Sequence, residues 1–382
     1  MFVTLLALVL TVSAHAVDGK LYVCGKSFCF GQGTKVFLSG VNMAWDQYGH
    51  DFGKHQYNTH HKSEFESIAR RVAAAGGNSI RVWVHTEGQI SPKFDSHGMV
   101  TDTDDGHSLI SALRGYIRFA RTQKLFVFLC LWNGALKQAG NERLQGLVKS
   151  TTKLQSYIDN ALIPMVKALK DEPNLGGWDI MNEPEGEIIV GHQDTHQPCY
   201  DTRFLHNSGA GWVQQMYTAH QIQRFVNWQT AAIRQHDQYA LVTVGSWNPK
   251  SNTDNFNMRN LYSDHCLVTA GSKSLGTLNF FSTHTYSSKT SPTTYDSVAP
   301  FRHNATAYGL NRPLVVAEFN QVLGGGWTID GQFPYLYTHG YAGAWSWHAR
   351  ANGEYTDSLA TQEKGLRSIS GRTGHGHIRI QI

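Results

Sequence analysis

The chain has 382 residues, of which 41% are hydrophobic, 12% aromatic and only 16% charged. It can bury a large core and is not globally disordered. Its net charge of +4 is mild and its basic residues form no run, which excludes a nucleic-acid footprint and a basic membrane-surface helix.

The first sixteen residues, MFVTLLALVLTVSAHA, read as a signal peptide. The apolar stretch 2–12 is too short to span a bilayer and ends in the small-x-small site Ala14-His15-Ala16. The mature chain is expected to begin at Val17 and to be a secreted, soluble monomer with no membrane contact. There are five cysteines. Cys24 and Cys29 flank a short glycine-containing turn and are expected to pair, as are Cys199 and Cys266 in polar loop-like stretches. Cys130, inside LFVFLCLW, is expected to be a buried thiol. Asn304-Ala305-Thr306 is a candidate glycosylation sequon.

Beyond the leader, short apolar runs alternate with stretches of helical periodicity. The runs 35–41, 78–84, 125–132, 175–181, 240–245, 278–285, 313–318 and 341–347 read as strands. Helices are expected over 63–75, 108–122, 152–170, 212–236, 294–308, 333–339 and 358–369, with a weak one within 252–262. Nearly continuous apolar strands, each followed by a helix, imply a parallel sheet covered on both faces. Eight such units without a linker predict a single (β/α)8 TIM barrel over residues 17–382. The tail 371–382 is not placed.

In such a barrel the C-terminal strand ends build the active site. Here they hold Asn42, Trp45, Arg81, Trp83, Trp132, Asn133, Asn182, Glu183, Trp247, His284, Tyr286, Glu318 and Trp347. Two of these are carboxylates on strands four and seven, each ending an apolar run: GWDIMNEP closes on Glu183 and PLVVAEF on Glu318. Two glutamates about 5–5.5 Å apart can cleave a glycosidic bond with retention, one attacking and one protonating the leaving oxygen. This chemistry needs unequal pKa values. Arg81 would hold the attacking carboxylate charged, Tyr286 would donate to it, and Asn182 would bind a sugar 2-hydroxyl. His284 would orient a hydroxyl or tune the acid. Trp83, Trp132, Trp247 and Trp347 are candidate platforms for sugar rings. No dinucleotide loop or strand-end metal set stands out, so no metal and no cofactor is expected. The pairs His60-His61 and His375-x-His377 read as surface features.

These residues carry a resemblance. Asn182-Glu183-Pro184, Glu318 in VVAEF, Arg81 in SIRVW, His284 and Tyr286 in THTY, and Trp347 in AGAWSW are similar to motifs of glycoside hydrolase family five, in clan A, over nearly the whole mature chain. The chain resembles most the β-mannanases of molluscs and other invertebrates. The resemblance implies endo-hydrolysis of β-1,4-mannan, glucomannan or galactomannan with Glu183 as acid/base and Glu318 as nucleophile. One departure stands after strand three: many members carry a histidine where this chain has Trp132-Asn133, which turns the expectation away from cellulase. The residues alone stop at a retaining β-glycosidase. They leave open an endo-β-1,4-glucanase, a non-catalytic carbohydrate-binding barrel, and whether Trp345 or Trp347 faces the sugar.

Overall fold

The computed structural model describes residues 19–135, 141–287, 295–350 and 355–382. The expected signal peptide, 1–16, lies outside them. Eight parallel strands close into a barrel in sequence order: β1 Leu38–Asn42, β2 Ser79–Thr86, β3 Phe126–Asn133, β4 Leu175–Asn182, β5 Val242–Ser246, β6 Phe281–His284, β7 Leu314–Glu318 and β8 Gly343–Ser346. All eight fall where the apolar runs predict. Every residue in them is buried, because the barrel interior takes one face and the helices the other.

The helices are α1 Lys62–Ala74, α2 Leu109–Thr122, α3 Asn141–Lys149, α4, α5 Ala219–His236, α6 Asp264–Gly271, α7 Ile329–Thr338 and α8 Leu359–Ile369. The rod α4 joins Thr151–Tyr157, a π turn Ile158–Leu162 and Ile163–Leu169. Three expectations fail. The helix expected from 212 starts at Ala219, where Thr218 and Gln221 form a reciprocal capping box. The weak helix of 252–262 is instead α6, capped by Ser263, whose side chain accepts from the Cys266 amide. The stretch 294–308 begins outside the described residues and otherwise holds only the 3-10 turns Pro300–Arg302 and Ala305–Tyr308; Pro300 has no N–H for a continuing helix. The sequon residue Asn304 is exposed between them.

Inside the barrel, side chains stack in layers from floor to mouth. On β2 the inward residues are Ser79, Arg81 and Trp83, in that order. The Trp345 indole donates to Ser79 Oγ at 3.0 Å and packs 4.6 Å from Phe128, so Trp345 belongs to the floor. Below it, Leu21–Cys24, Ser27–Phe30 and Thr34–Val36 form an antiparallel sheet whose Phe28 meets Phe280 edge-on at 5.1 Å. Cys24 and Cys29 are disulfide-bonded across its first turn. The tail joins this floor: His377 bridges Val36, and Ile378 is fully buried. Cys199 and Cys266 form the second disulfide, and Cys130 is the buried free thiol, all as the sequence predicts. His61 departs from its expected place. It is buried, with Nδ1 2.7 Å from Asp46 Oδ2. His375 is exposed and His377 half-buried. Among the described residues no helix is long and apolar enough to cross a membrane.

Candidate active site

At the C-terminal mouth of the barrel lies a cleft of about 280 Å³, lined by Trp45, Trp83, Trp212, Trp347, Tyr286 and Tyr355 around Glu183 and Glu318. Both carboxylates arrive on the last turn of their strands. Glu318 ends β7. Glu183 follows β4 in the left-handed region, φ 42° and ψ 55°, an uncommon conformation for a residue with a side chain and one that clusters at functional sites. Its amide is held by the Gly245 carbonyl at 2.6 Å, and Pro184 then starts a 3-10 turn. The turn lifts the Glu183 side chain into the cleft, where it keeps 12% of its surface exposed against 4% for Glu318.

A carboxylate oxygen of Glu183 and one of Glu318 lie within 4.8 Å of each other, and of His284 Nδ1. That spacing belongs to retaining rather than inverting glycosidases, whose carboxyls stand farther apart to admit a water. Among the described residues these three form the one set of His and acidic groups close enough to share a cation. In the structure they are instead bonded to each other and to Arg81.

The surroundings of the two glutamates differ. Glu318 receives Arg81 Nη1 at 2.9 Å on one oxygen and the Tyr286 hydroxyl at 2.9 Å on the other. Glu183 receives His284 Nδ1 at 2.7 Å. Burial lowers the His284 pKa to about 4, so the ring is neutral at pH 7 and shares a hydrogen bond between its Nδ1 and Glu183. Burial raises Glu183 to about 7, opposed by Arg81. Burial raises Glu318 too, as does the Glu183 charge, but the Arg81 charge and the Tyr286 hydrogen bond pull it back. Glu318 is therefore the member of the pair built to carry the charge, and Glu183 the one built to hold the proton.

Arg81 is fully buried and held from several sides. Its Nε and Nη2 meet Asp179 Oδ2 at 2.9 and 2.8 Å, its Nη1 donates to Asn42 Oδ1, and its Nη2 donates to Asn182 Oδ1 at 2.8 Å. Gly245 makes room for this. A Cβ there would sit 2.8 Å from Arg81 Nη2 and 3.0 Å from Asp179 Oδ2. Asp179 is a site residue the sequence reading missed, although a carboxylate inside the apolar GGWDIMN was the available signal.

The structure brings together Glu183, Glu318, Arg81, Asn182, His284, Tyr286, Trp83 and Trp347, and settles Trp347 over Trp345 as the cleft residue. It corrects two platforms. Trp132 points away from the cleft. It is fully buried between strand and helices, 4.9 Å from His85 and from Tyr157, with its indole donating to Gln229. Asn133 faces inward in its place, 3.0 Å from Asn182 Nδ2; nearby, β2 carries an extra residue against β3 between Trp83 and Thr86. Trp247 does not line the cleft; it stands 6.3 Å behind Trp212. Trp212 itself, 44% exposed, was read as part of a helix and so missed. Tyr355 was missed for lack of any strand-end signal.

A family model for cellulase (glycosyl hydrolase family 5) matches residues 45–352. The chain belongs to glycosyl hydrolase family 5. It is 46% identical over 378 residues to mannan endo-1,4-beta-mannosidase of Mytilus edulis, covering 99% of this chain and 100% of that one. The Cryptopygus antarcticus enzyme of the same name is 44% identical, covering 92% and 90%. Among solved structures, the beta-mannanase from the blue mussel Mytilus edulis superposes with a TM-score of 0.90 at 47% identity, covering 95% of this chain and 99% of that one. The beta-1,4-mannanase from the sea hare Aplysia kurodai gives 0.90 at 45%, covering 95% and 100%. The family 5 barrel is thus shared over nearly the whole described chain.

Proposed function

We propose that this protein is a secreted endo-β-1,4-mannanase that hydrolyses internal bonds of mannan, glucomannan and galactomannan with retention of configuration. The observation that carries the reaction is the pair of carboxylates within 4.8 Å, one beside Arg81 and Tyr286 and the other beside a neutral histidine. In the first step Glu318 attacks the anomeric carbon, the glycosidic C–O bond breaks, and Glu183 gives its proton to the departing oxygen. In the second, Glu183 takes a proton from water, which attacks the same carbon and frees Glu318. Asn182, on the cleft wall beside Glu183, is placed to donate to the 2-hydroxyl of the reacting sugar. Trp83 and Trp347, 5.7 Å apart, offer ring faces to the chain.

Mannan as substrate is supported by the relatives at 44–46% identity that carry the name mannan endo-1,4-beta-mannosidase. A glucanase activity is the rival, favoured by the name of the family model. Hydrolysis of locust bean gum against carboxymethylcellulose separates the two, and a marked preference for carboxymethylcellulose would reject the mannanase reading. For the roles, Glu318→Ala should abolish turnover, and added azide should restore it with a glycosyl azide of inverted configuration, the α-anomer, as product. Glu183→Gln should slow substrates with poor leaving groups far more than activated aryl glycosides. Secretion rests on the leader sequence and two disulfides; amino-terminal sequencing of secreted protein should find Val17 first. The reading includes a monomer that uses no cofactor and a glycan on exposed Asn304.

A further inference from the structure

Asn182 is the end of a hydrogen-bonded chain that leads out of the catalytic centre to a buried acid the reaction does not use. Its Nδ2 donates to Asn133 Oδ1 at 3.0 Å. Asn133 Nδ2 donates to the Tyr48 hydroxyl at 2.7 Å. The Tyr48 hydroxyl donates to Glu87 Oε1 at 2.7 Å. Glu87 and Asn133 are fully buried and Asn182 is 2% exposed. The donor direction is set at both ends. A tyrosine hydroxyl has a single hydrogen. Tyr48 spends it on Glu87, so it can only accept from Asn133, whose amide must therefore turn its oxygen to Asn182. The Ala135 amide, 3.1 Å from the same Asn133 oxygen, fixes that orientation as well. At the other end, the Arg81 guanidinium only donates, so Asn182 must turn Oδ1 toward it.

With both amide edges engaged, the plane of Asn182 cannot rotate, and its remaining Nδ2 hydrogen is the donor left for a ligand in the cleft the residue lines. We infer that Tyr48, Asn133 and Glu87 are positioning residues that aim the Asn182 N–H at the 2-hydroxyl of the sugar undergoing cleavage. This inference rests on the retaining-glycosidase reading above. Tyr48 suits the task because its ring is itself held edge-on at 5.0 Å from Trp45 and 6.3 Å from Trp83. The relay thus starts in the β1 loop, crosses the ends of β2 and β3 and terminates on β4, tying four strand ends to one amide. A donor preorganised in this way strengthens as charge develops in the transition state, without reorganising at that moment.

The experiment compares an aryl β-mannobioside with its analogue lacking the 2-hydroxyl on the sugar bound to the aryl group. The wild type should lose about a hundredfold or more in kcat/KM on the deoxy analogue. Tyr48→Phe keeps the ring and its packing. It should lose about tenfold on the hydroxylated substrate and nothing on the deoxy analogue. Asn133→Ala should show the same split. Adding Tyr48→Phe to Asn182→Ala should cost nothing further, because the two act through one hydrogen bond. Equal losses on both substrates, or additive losses in the double variant, would mean that Tyr48 serves only the fold and would overturn the inference. So would full activity of Tyr48→Phe on both. A wild type that does not distinguish the substrates would instead remove the 2-hydroxyl role of Asn182, and the relay's purpose with it, while leaving the two glutamates untouched.

Discussion

Glu183 and Glu318 are chemically identical side chains that the barrel makes unequal, and the pH profile is where this becomes measurable. Turnover needs Glu183 protonated and Glu318 ionised. Burial holds Glu183 at about 7, so kcat/KM should fall about tenfold per pH unit above that point. Glu183→Gln, assayed on an activated aryl glycoside, should lose this basic limb. The acidic limb belongs to Glu318, which the Tyr286 hydrogen bond pulls down; Tyr286→Phe should therefore move that limb to higher pH. The same shift appears in stability. The folded state holds the Glu183 proton more tightly than the unfolded chain, so it gains stability that is complete below the ordinary carboxylate pKa and lost as pH rises through about 7. Glu183→Gln should melt above the wild type at pH 8 and by a smaller margin at pH 5. A wild-type basic limb that survives in Glu183→Gln would assign the titration to another group.

At the scale of elements, the strands were legible because a buried parallel strand leaves a continuous apolar run, and a barrel needs its active residues where such runs end. That logic pointed to Arg81, Glu183, His284, Tyr286 and Glu318, which lie together at the barrel mouth. It failed at Trp132 because nothing in the run LFVFLCLWN marks where inward alternation passes from Cys130 to Asn133 and leaves Trp132 facing the helices. The residue-level departure from the family's histidine was visible, but its consequence was not, since the relay through Asn133 joins residues distant in sequence. The loop after β4 was the other blind spot. Residues 187–217 carry little periodicity, yet they bring Trp212 to the cleft, where its ring packs on Gly186, three residues beyond the acid. The disulfide Cys199–Cys266, spanning 67 residues, pins this loop to α6. Closing a loop of that length is worth about 4 kcal/mol in the chain-entropy account. Cys199→Ser/Cys266→Ser should lower Tm accordingly. It should also raise KM for polymeric mannan more than for an aryl mannobioside, because the loop's contribution to the cleft is a platform for the longer chain. Unchanged KM for both would show that the loop is anchored without the disulfide, and equal rises would reject its role as a platform for the longer chain.

Across the whole molecule, chemistry and stability occupy opposite ends of the barrel. The mouth concentrates buried charge: Glu183, Glu318, Asp179 and Arg81 share one small volume, and desolvating them opposes folding. The floor contains apolar packing and satisfied backbone. The Asn78 side chain illustrates this, accepting from the Ser39 amide and donating to the Phe37 and Ile378 carbonyls. It thereby clamps β1 and the C-terminal tail together. Ile378 is fully buried, and Ile380 and Ile382 pack against the floor cluster. Removing residues 371–382 would expose that cluster and leave the Asn78 amide short of an acceptor. Full burial of one isoleucine is worth about 1.5–3 kcal/mol, so losing Ile378, two half-buried isoleucines and one hydrogen bond makes the truncation expensive. The truncated protein should unfold at lower temperature and lower denaturant concentration than the full chain. At 25 °C its pH profile and its kcat/KM on an aryl mannobioside should stay the same, because the floor touches neither glutamate. A shift in the basic limb on truncation would show that the floor reaches the mouth through the stacked layers of Ser79, Arg81 and Trp83, and that the two ends are coupled.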